Sequence, residues 1–275
     1  MNNRVLSVLV VIAAILAVGI AGCTGESGQE GAVQTAETTP AVTEQTGEKE
    51  VYIVGIDVPY PPFSMVDKDT GEATGFDVDS IKWIAEDQGF EVEFKTVAWD
   101  GIIPALQAGS IDMVYSGMTI TEERAEKVNF SIPYWTVNQA IVAKEDSTAT
   151  VEELEAGKLI IATQSGCTAY IWADKNLVET GLMPADNLKA HSDIIKAVDD
   201  VIAGRADVAM YDSTVINDVI EDKAVTKIGY IETNEQFGIA VRKDDVELLE
   251  KLNAGLENLL ASEYWDTLNK KYQMK

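Results

Sequence analysis

The chain has 275 residues, enough for one or two domains with a sizeable core, and its 46% apolar and 24% charged residues exclude wholesale disorder. Lys and Arg total 21 against 46 Asp and Glu, a formal charge of −25 that repels phosphate backbones and leaves nucleic acid outside the expected partners. The single histidine, His191, excludes a metal centre needing two imidazoles, and two cysteines, Cys23 and Cys167, cannot make a disulfide framework.

Residues 5–22 are apolar or small apart from Ser7 and follow the lone charge of Arg4, which is the form of a secretory signal peptide. The segment ends in Ile20-Ala21-Gly22-Cys23, which resembles the lipobox of prokaryotic lipoproteins, in which the Cys becomes the lipidated first residue of the mature chain. An uncleaved membrane helix is the alternative, since about 18 apolar residues suffice to span. Either way the remainder is expected on the outer face of the cytoplasmic membrane, extracellular or periplasmic, held there by the anchor. Residues 23–50 contain no aromatic side chain and are rich in Thr, Glu, Gly, Gln and Ala, so they are expected to form a disordered tether. As a flexible coil it spans roughly 30 Å. With Cys23 lipidated, Cys167 has no internal disulfide partner.

From Val51 onward apolar strands alternate with amphipathic helices. Residues 51–56 are a nearly continuous apolar run, as in a strand covered on both faces. Asp77 is placed to cap a helix with Val78, Ile81, Ile84 and Ala85 at helical spacing and Gly89 at its end. Phe90, Val92 and Phe94 alternate with charged residues, a half-buried strand; Asp100 is placed to cap the next helix, with Pro104 in its first turn. Residues 111–115 form the third strand. In the second half Thr150 and Glu153 make a capping box, residues 158–163 form a strand, and Ser192 is placed to cap a helix carrying Ile194, Val198, Val201 and Ile202. Ala108-Gly109-Ser110-Ile111-Asp112 and Ala203-Gly204-Arg205-Ala206-Asp207 share Ala-Gly-x-x-Asp at a helix-to-strand junction. The pattern predicts an α/β protein of two similar lobes, each with a mostly parallel sheet flanked by helices. Ligands on such sheets bind beyond the carboxyl ends of strands.

Those strand ends carry unusual residues. Asp57-Val58-Pro59-Tyr60-Pro61-Pro62-Phe63 puts a carboxylate and an aromatic ring three residues apart on a stiff turn. Trp99 lies near the next strand end, and Ser116-Gly117-Met118-Thr119-Ile120-Thr121-Glu122-Glu123-Arg124 follows the third strand. Thr121 is placed to cap a helix with Arg124 in its first turn, where a cation opposes the helix dipole by up to about 1 kcal/mol. That placement makes sense if Arg124 faces an anion. In the second half Gln164-Ser165-Gly166-Cys167-Thr168 follows one strand and Tyr211-Asp212-Ser213 another.

These segments, with Gly75-Phe76-Asp77-Val78-Asp79, Trp99-Asp100-Gly101-Ile102-Ile103-Pro104, Phe130-Ser131-Ile132-Pro133-Tyr134 and Tyr264-Trp265-Asp266, resemble the polar amino-acid solute-binding proteins of ABC importers, family 3, from about Glu50 to Lys275. The resemblance implies a periplasmic binding protein type II-like architecture, with lobe 1 at residues 51–137 and 234–275, lobe 2 at 138–233, and a hinge of two crossings. It implies a monomer that takes an amino acid from outside and passes it to an importer permease. Arg124 would pair with the ligand α-carboxylate, helped by Thr119 and the amide of Thr168. Asp212 would receive the α-ammonium, with Gly117 and Thr119 nearby, while Tyr60 and Trp99 would sandwich the side chain. Ser116 and Met118 complete the loop of the binding site, and Asp57, Gln164, Tyr211 and Gln139 would meet a polar or cationic side-chain end, glutamine standing close behind lysine, arginine and histidine. A zwitterion buried between lobes needs such a fixed cation and fixed anion to offset desolvation.

No motif asks for a metal or a cofactor. Asp67-Lys68-Asp69-Thr70-Gly71 is an imperfect calcium loop, with Val78 at the twelfth position, and is expected to be a polar hairpin turn. An enzyme such as the cyclohexadienyl dehydratases, which resemble these binding proteins, needs a general acid or base, for which His191 and Cys167 are poorly placed. A ligand-sensing receptor domain is the remaining alternative, less expected because no kinase-like region or second membrane segment follows Lys275.

Overall fold

The computed structural model of the protein describes residues 49–274. The candidate signal segment, Cys23 and residues 24–48 of the expected tether lie outside the described residues. Glu50, expected as the tether's last residue, is instead tied to the folded part, accepting hydrogen bonds from Tyr52 Oη at 3.0 Å and Lys251 Nζ at 2.6 Å.

β1 (Val51–Ile56) opens the first lobe, and the last half of its apolar run is buried. A small hairpin, β2 (Met65–Val66) and β3 (Ala73–Thr74), follows; its turn is held by Asp67 Oδ1, which accepts the N–H groups of Asp69 and Thr70 at 2.9 and 2.8 Å. This is the polar turn expected from the sequence. α1 (Phe76–Gln88) buries Val78, Ile81 and Ile84 and ends at Gly89 in the left-handed conformation. Its start differs from expectation. Gly75, at φ 133°, occupies the N-cap, because a Cβ there would come within 2.2 Å of the Phe63 carbonyl oxygen. Asp77 therefore sits inside the helix rather than capping it. Its fully buried Oδ2 accepts the backbone N–H of Gly117 at 2.8 Å and the hydroxyl of Tyr134 at 2.9 Å.

β4 (Glu91–Thr96) pairs parallel with β1, and α2 (Trp99–Gln107) follows. α2 begins at Trp99 with Ala98 as its N-cap, because the Gly101 N–H already closes a turn on the Ala98 carbonyl. Asp100 is thus a first-turn acid favoured by the helix dipole, and Pro104 lies within the helix rather than in its first turn. β5 (Met113–Val114), α3 (Glu122–Lys127) and β6 (Asn129–Phe130) complete this passage. β7 (Trp135–Lys144) carries the chain into the second lobe, where α4 (Val151–Glu155) starts with the expected Thr150–Glu153 capping box. β8 (Ile161–Gln164), α5 (Thr168–Ala173), β9 (Leu188–His191), α6 (Ile194–Ile202), β10 (Val208–Asp212) and α7 (Ser213–Val219) follow. α6 is capped by Asp193, whose Oδ1 accepts from Lys196 N at 3.0 Å; Ser192, the expected cap, is one residue too early. The strand expected at residues 158–163 is ordered later, because Ile160 N donates to the Asp207 carboxylate rather than to a strand. β11 (Val225–Phe237) returns to the first lobe, where β12 (Ala240–Val241), α8 (Val246–Leu260) and α9 (Glu263–Lys271) close the fold.

The sheets are ordered β4-β1-β5-β12-β6 and β11-β7-β10-β8-β9. In the first only β12 runs against the rest, and in the second only β7 does. Each sheet is therefore parallel apart from one reversed strand, and both reversed strands adjoin the passages between lobes. The Ala-Gly-x-x-Asp echo is structural as well. Gly109 and Gly204 adopt φ 70° and 71°; Asp112 Oδ2 accepts Ile53 N at 2.8 Å, and Asp207 Oδ2 accepts Ile160 N at 2.7 Å.

β7 and β11 form an antiparallel ribbon whose register slips between Ile231 and Glu235. At the slip Asn234 takes φ 49° and its N–H donates to Asn138 Oδ1 at 2.9 Å. Phe63, Phe76, Trp135 and Phe237 pack edge to face around the first-lobe end of the ribbon, with Phe63–Phe237 centroids 5.4 Å apart.

Burial pushes the Asp77 carboxyl up to about 8, despite the hydrogen bonds from Gly117 and Tyr134. A carboxyl raised in the folded state binds its proton more tightly there than in the unfolded chain, so its contribution is full below about pH 4 and is lost as pH rises towards 8. The melting temperature is expected to fall between pH 5 and pH 8. In Asp77→Asn, which keeps an acceptor for both donors, that fall should be shallower; an unchanged slope by thermal denaturation contradicts it.

Candidate functional site

Between the lobes is a small, tightly closed cavity, lined by Tyr60, Trp99, Gly117, Thr119, Arg124, Cys167, Thr168, Tyr211 and Asp212. Eight of these were expected from the sequence; Cys167 was not.

Arg124 is the third residue of α3 and only 6% exposed. Thr121 caps the helix as expected, accepting Arg124 N at 3.2 Å. α3 has only six residues and Arg124 lies near its middle, so the dipole argument loses its force. Burial carries the point instead. The guanidinium makes no ion pair among the described residues. It donates through Nη1 to the Thr119 carbonyl at 2.9 Å and through Nη2 to the Gly166 carbonyl at 3.3 Å, and Cζ lies 5.2 Å from the Trp99 ring centroid. Burial lowers its pKa, opposed by the thiol of Cys167 and the carboxylates of Asp212 and Glu235, yet a guanidinium stays charged at any working pH.

Asp212 ends β10 on the opposite wall, 7% exposed and likewise without an ion pair among the described residues. Its Oδ2 accepts the Tyr60 hydroxyl at 2.7 Å and its Oδ1 accepts Gln139 Nε2 at 2.7 Å. Burial and the nearby Glu235 carboxylate push it up to about 7, while those hydrogen bonds and Arg124 pull it down. Tyr60 stacks on Phe63 and meets Tyr211 edge-on at 6.0 Å. Gly117, at φ 56°, is needed beside it, because a Cβ there would lie 2.4 Å from the Tyr60 ring. Trp99 lines the same cavity and donates Nε1 to the Gly166 carbonyl at 3.2 Å. Thr168 opens α5, which leaves its N–H among the free donors of a helix start.

Asp57, Gln164, Ser116 and Met118 do not line this cavity. Asp57 and Gln164 sit one hydrogen bond behind it: the Tyr211 hydroxyl donates to Gln164 Oε1, and Gln164 Nε2 donates to Asp57 Oδ2 at 2.8 Å. Burial raises Asp57 to about 6 against the pull of that amide. Ser116 is held behind Asp57, its Oγ accepting Asp57 N at 3.1 Å, and Met118 is drawn into the apolar cluster of Ile102, Leu106 and Val128. Gln139, expected at the side-chain end, lies instead beside Asp212, because β7 and β10 pair antiparallel with Asp212 opposite Gln139. The sequence reading missed Cys167 and Glu235 as parts of the site. Cys167 Sγ caps α5 by accepting Tyr170 N at 3.4 Å, and burial pushes the thiol up to about 11. Glu235, on the return strand, accepts from Thr119 Oγ1 at 3.0 Å and Gln139 Nε2 at 2.8 Å. Its only signal in the sequence was its position in the second crossing. His191 does not line the cavity; it stands beside Gln164 on the neighbouring strand, its Nε2 3.2 Å from the Asp200 carboxylate.

Among known proteins, an L-arginine-binding protein of Pseudomonas aeruginosa is 32% identical over 233 residues, covering 80% of this chain and 86% of its own. Two solved structures superpose closely. An ancestral arginine-binding protein bound to arginine has a TM-score of 0.73 and 37% identity, over 82% of this chain and 98% of its own. An ancestral amino acid-binding protein, a precursor of cyclohexadienyl dehydratase, has 0.71 and 39%, over 81% and 95%. The model of one family matches residues 52–275, and on that match, with a cleft of buried opposite charges between two α/β lobes, the chain belongs to the bacterial extracellular solute-binding proteins, family 3.

Proposed function

We propose that this protein captures a single polar or cationic L-amino acid between its lobes and delivers it to the permease of an ABC importer. The observation that carries the reading is the buried Arg124 guanidinium, free of any ion pair among the described residues, facing a cavity whose opposite wall holds the buried Asp212 carboxylate. A buried charge without a counter-charge is costly, and a zwitterion answers both at once. In this reading Arg124, with Thr119 and the Thr168 amide, takes the α-carboxylate. Asp212, with the Thr119 hydroxyl and the Gly117 carbonyl, takes the α-ammonium, and Tyr60 and Trp99 flank the side chain. Asp57, Gln164 and Tyr211 form its far end, with Ser116 bracing Asp57. Three carboxylates in and behind the cavity, Asp57, Asp212 and Glu235, against one guanidinium favour a ligand with a net positive charge. The arginine and amino-acid binding named for the relatives agrees with this.

The lobes, residues 51–137 with 234–275 and residues 138–233, close on each other through Tyr60–Asp212, Gln164–Asp57 and the two donors on Gly166. A ligand gripped from both sides favours that closed form by its differential affinity for it. A micromolar ligand corresponds to about −8 kcal/mol of net binding. The protein works as a monomer outside the cytoplasmic membrane, anchored through lipidated Cys23.

Isothermal titration of protein unfolded and refolded to remove bound ligand, against all twenty amino acids, is expected to find the tightest binding among arginine, lysine, histidine and glutamine. Binding of leucine alone overturns the reading. Arg124→Ala should weaken binding by at least ~100-fold, in line with removing one partner of a buried charge pair, while the far-UV spectrum stays native. Unchanged affinity removes Arg124 from its role. Prephenate and arogenate should show no turnover, since the Cys167 thiol is held neutral, His191 lies outside the cavity and both oxygens of Asp212 are engaged by Tyr60 and Gln139.

A further inference from the structure

Glu235 is partly buried on β11, in the ribbon that joins the lobes, and its two carboxylate oxygens reach in different directions. Oε2 accepts the hydroxyl of Thr119, which lines the cavity from the first lobe; Oε1 accepts Gln139 Nε2, which also donates to Asp212 Oδ1 at the end of β10. Thr119 has a single hydroxyl hydrogen. With that hydrogen given to Glu235, the oxygen offers only lone pairs to anything else. Gln139 has two amide hydrogens, and its Nε2 lies closest to two carboxylate oxygens, 2.7 Å from Asp212 Oδ1 and 2.8 Å from Glu235 Oε1, with Thr168 Oγ1 farther off at 3.3 Å. An α-ammonium carries three donors and no acceptor, so a wall that shows it acceptors alone is matched to it, and a hydroxyl hydrogen turned inward is not.

We propose that Glu235 is a positioning residue for α-ammonium capture, fixing the Thr119 hydroxyl as an acceptor towards the cavity and sharing the Gln139 amide with Asp212. The inference rests on reading the cavity as an amino-acid site. Glu235 touches the ligand only through Thr119 and Asp212, and because it stands on the return strand it links that capture to the strand that joins the lobes. Its charge also acts on Asp212, which it raises; Arg124 from α3, Tyr60, Tyr211 and Cys167 are the other titratable groups facing Asp212, and Lys175 lines the outer groove beside Glu235.

The test compares the full chain with Glu235→Gln, whose amide is able to donate to Thr119 and so turn its hydrogen inward. Calorimetry at pH 8.5 measures whichever of L-arginine, L-lysine, L-histidine or L-glutamine binds tightest, and the same compound with hydrogen in place of the α-amino group. The variant is expected to lose at least ~10-fold in affinity for the amino acid and less than ~2-fold for the deamino compound. In wild-type protein the amino-acid affinity should fall as pH drops through about 7, and in E235Q that fall should move to lower pH. Equal losses for the two compounds, no loss, or an unmoved acid limb overturns the proposal. Should E235Q melt below the assay temperature, E235D, which withdraws the carboxylate by one methylene, must show the same split between compounds. A wild-type protein that binds none of the four amino acids fails the underlying reading, and that failure is visible before any variant is made.

Discussion

Two opposite charges buried in one cavity, each held by neutral partners instead of by the other, are the constraint around which this molecule is organised. Arg124 donates to backbone carbonyls and leans on an indole face; Asp212 accepts from a phenol and an amide. Collapse of the guanidinium onto the carboxylate would satisfy both and erase the site. The fold prevents it by mounting them on different lobes and surrounding each with groups that meet its hydrogen-bonding needs without cancelling its charge. The rigid turn carrying Tyr60, the close approach allowed by Gly117, and the ribbon with Glu235 all serve that separation.

Support for the cavity runs deep into the core. The loop carrying Gly117 is pinned from below by a carboxyl that has no other access to solvent, Asp77, and the same carboxyl takes the hydroxyl of Tyr134 just before the chain leaves the first lobe. The floor of the site and the start of the first crossing thus share one buried anchor. Behind the other end of the cavity, Tyr211, Gln164 and Asp57 form a relay of hydrogen bonds from β10 through β8 to the residue after β1, which ties the second sheet to the first.

Much of this was legible in the sequence because the relevant signals are local. Alternating apolar strands and amphipathic helices gave the α/β class, Thr121 and Thr150 gave their caps, and the run from Ser116 to Arg124 gave the cation and its loop. What was misread depended on distant partners. Asp77 looks like a cap and becomes a buried acceptor because Gly117, forty residues on, needs one. Asp100 was passed over as a cap because the Gly101 N–H closes the first turn on the Ala98 carbonyl, and Ser192 because the Asp193 side chain accepts Lys196 N in its place. Gln139 was placed at the wrong end because strand register decides which residue lies opposite Asp212. Glu235 carries no motif at all; only the pairing of β11 with β7 brings it to the site.

The paired junctions at Gly109 and Gly204 have a mechanical consequence. In each lobe an aspartate after the glycine clips the backbone N–H at the start of the neighbouring stretch of sheet, Asp112 on Ile53 and Asp207 on Ile160. Each lobe therefore carries its own internal brace, owing nothing to its counterpart. With each lobe braced within itself, the joining ribbon is least tied by backbone hydrogen bonds around Asn234, where the ladder is interrupted.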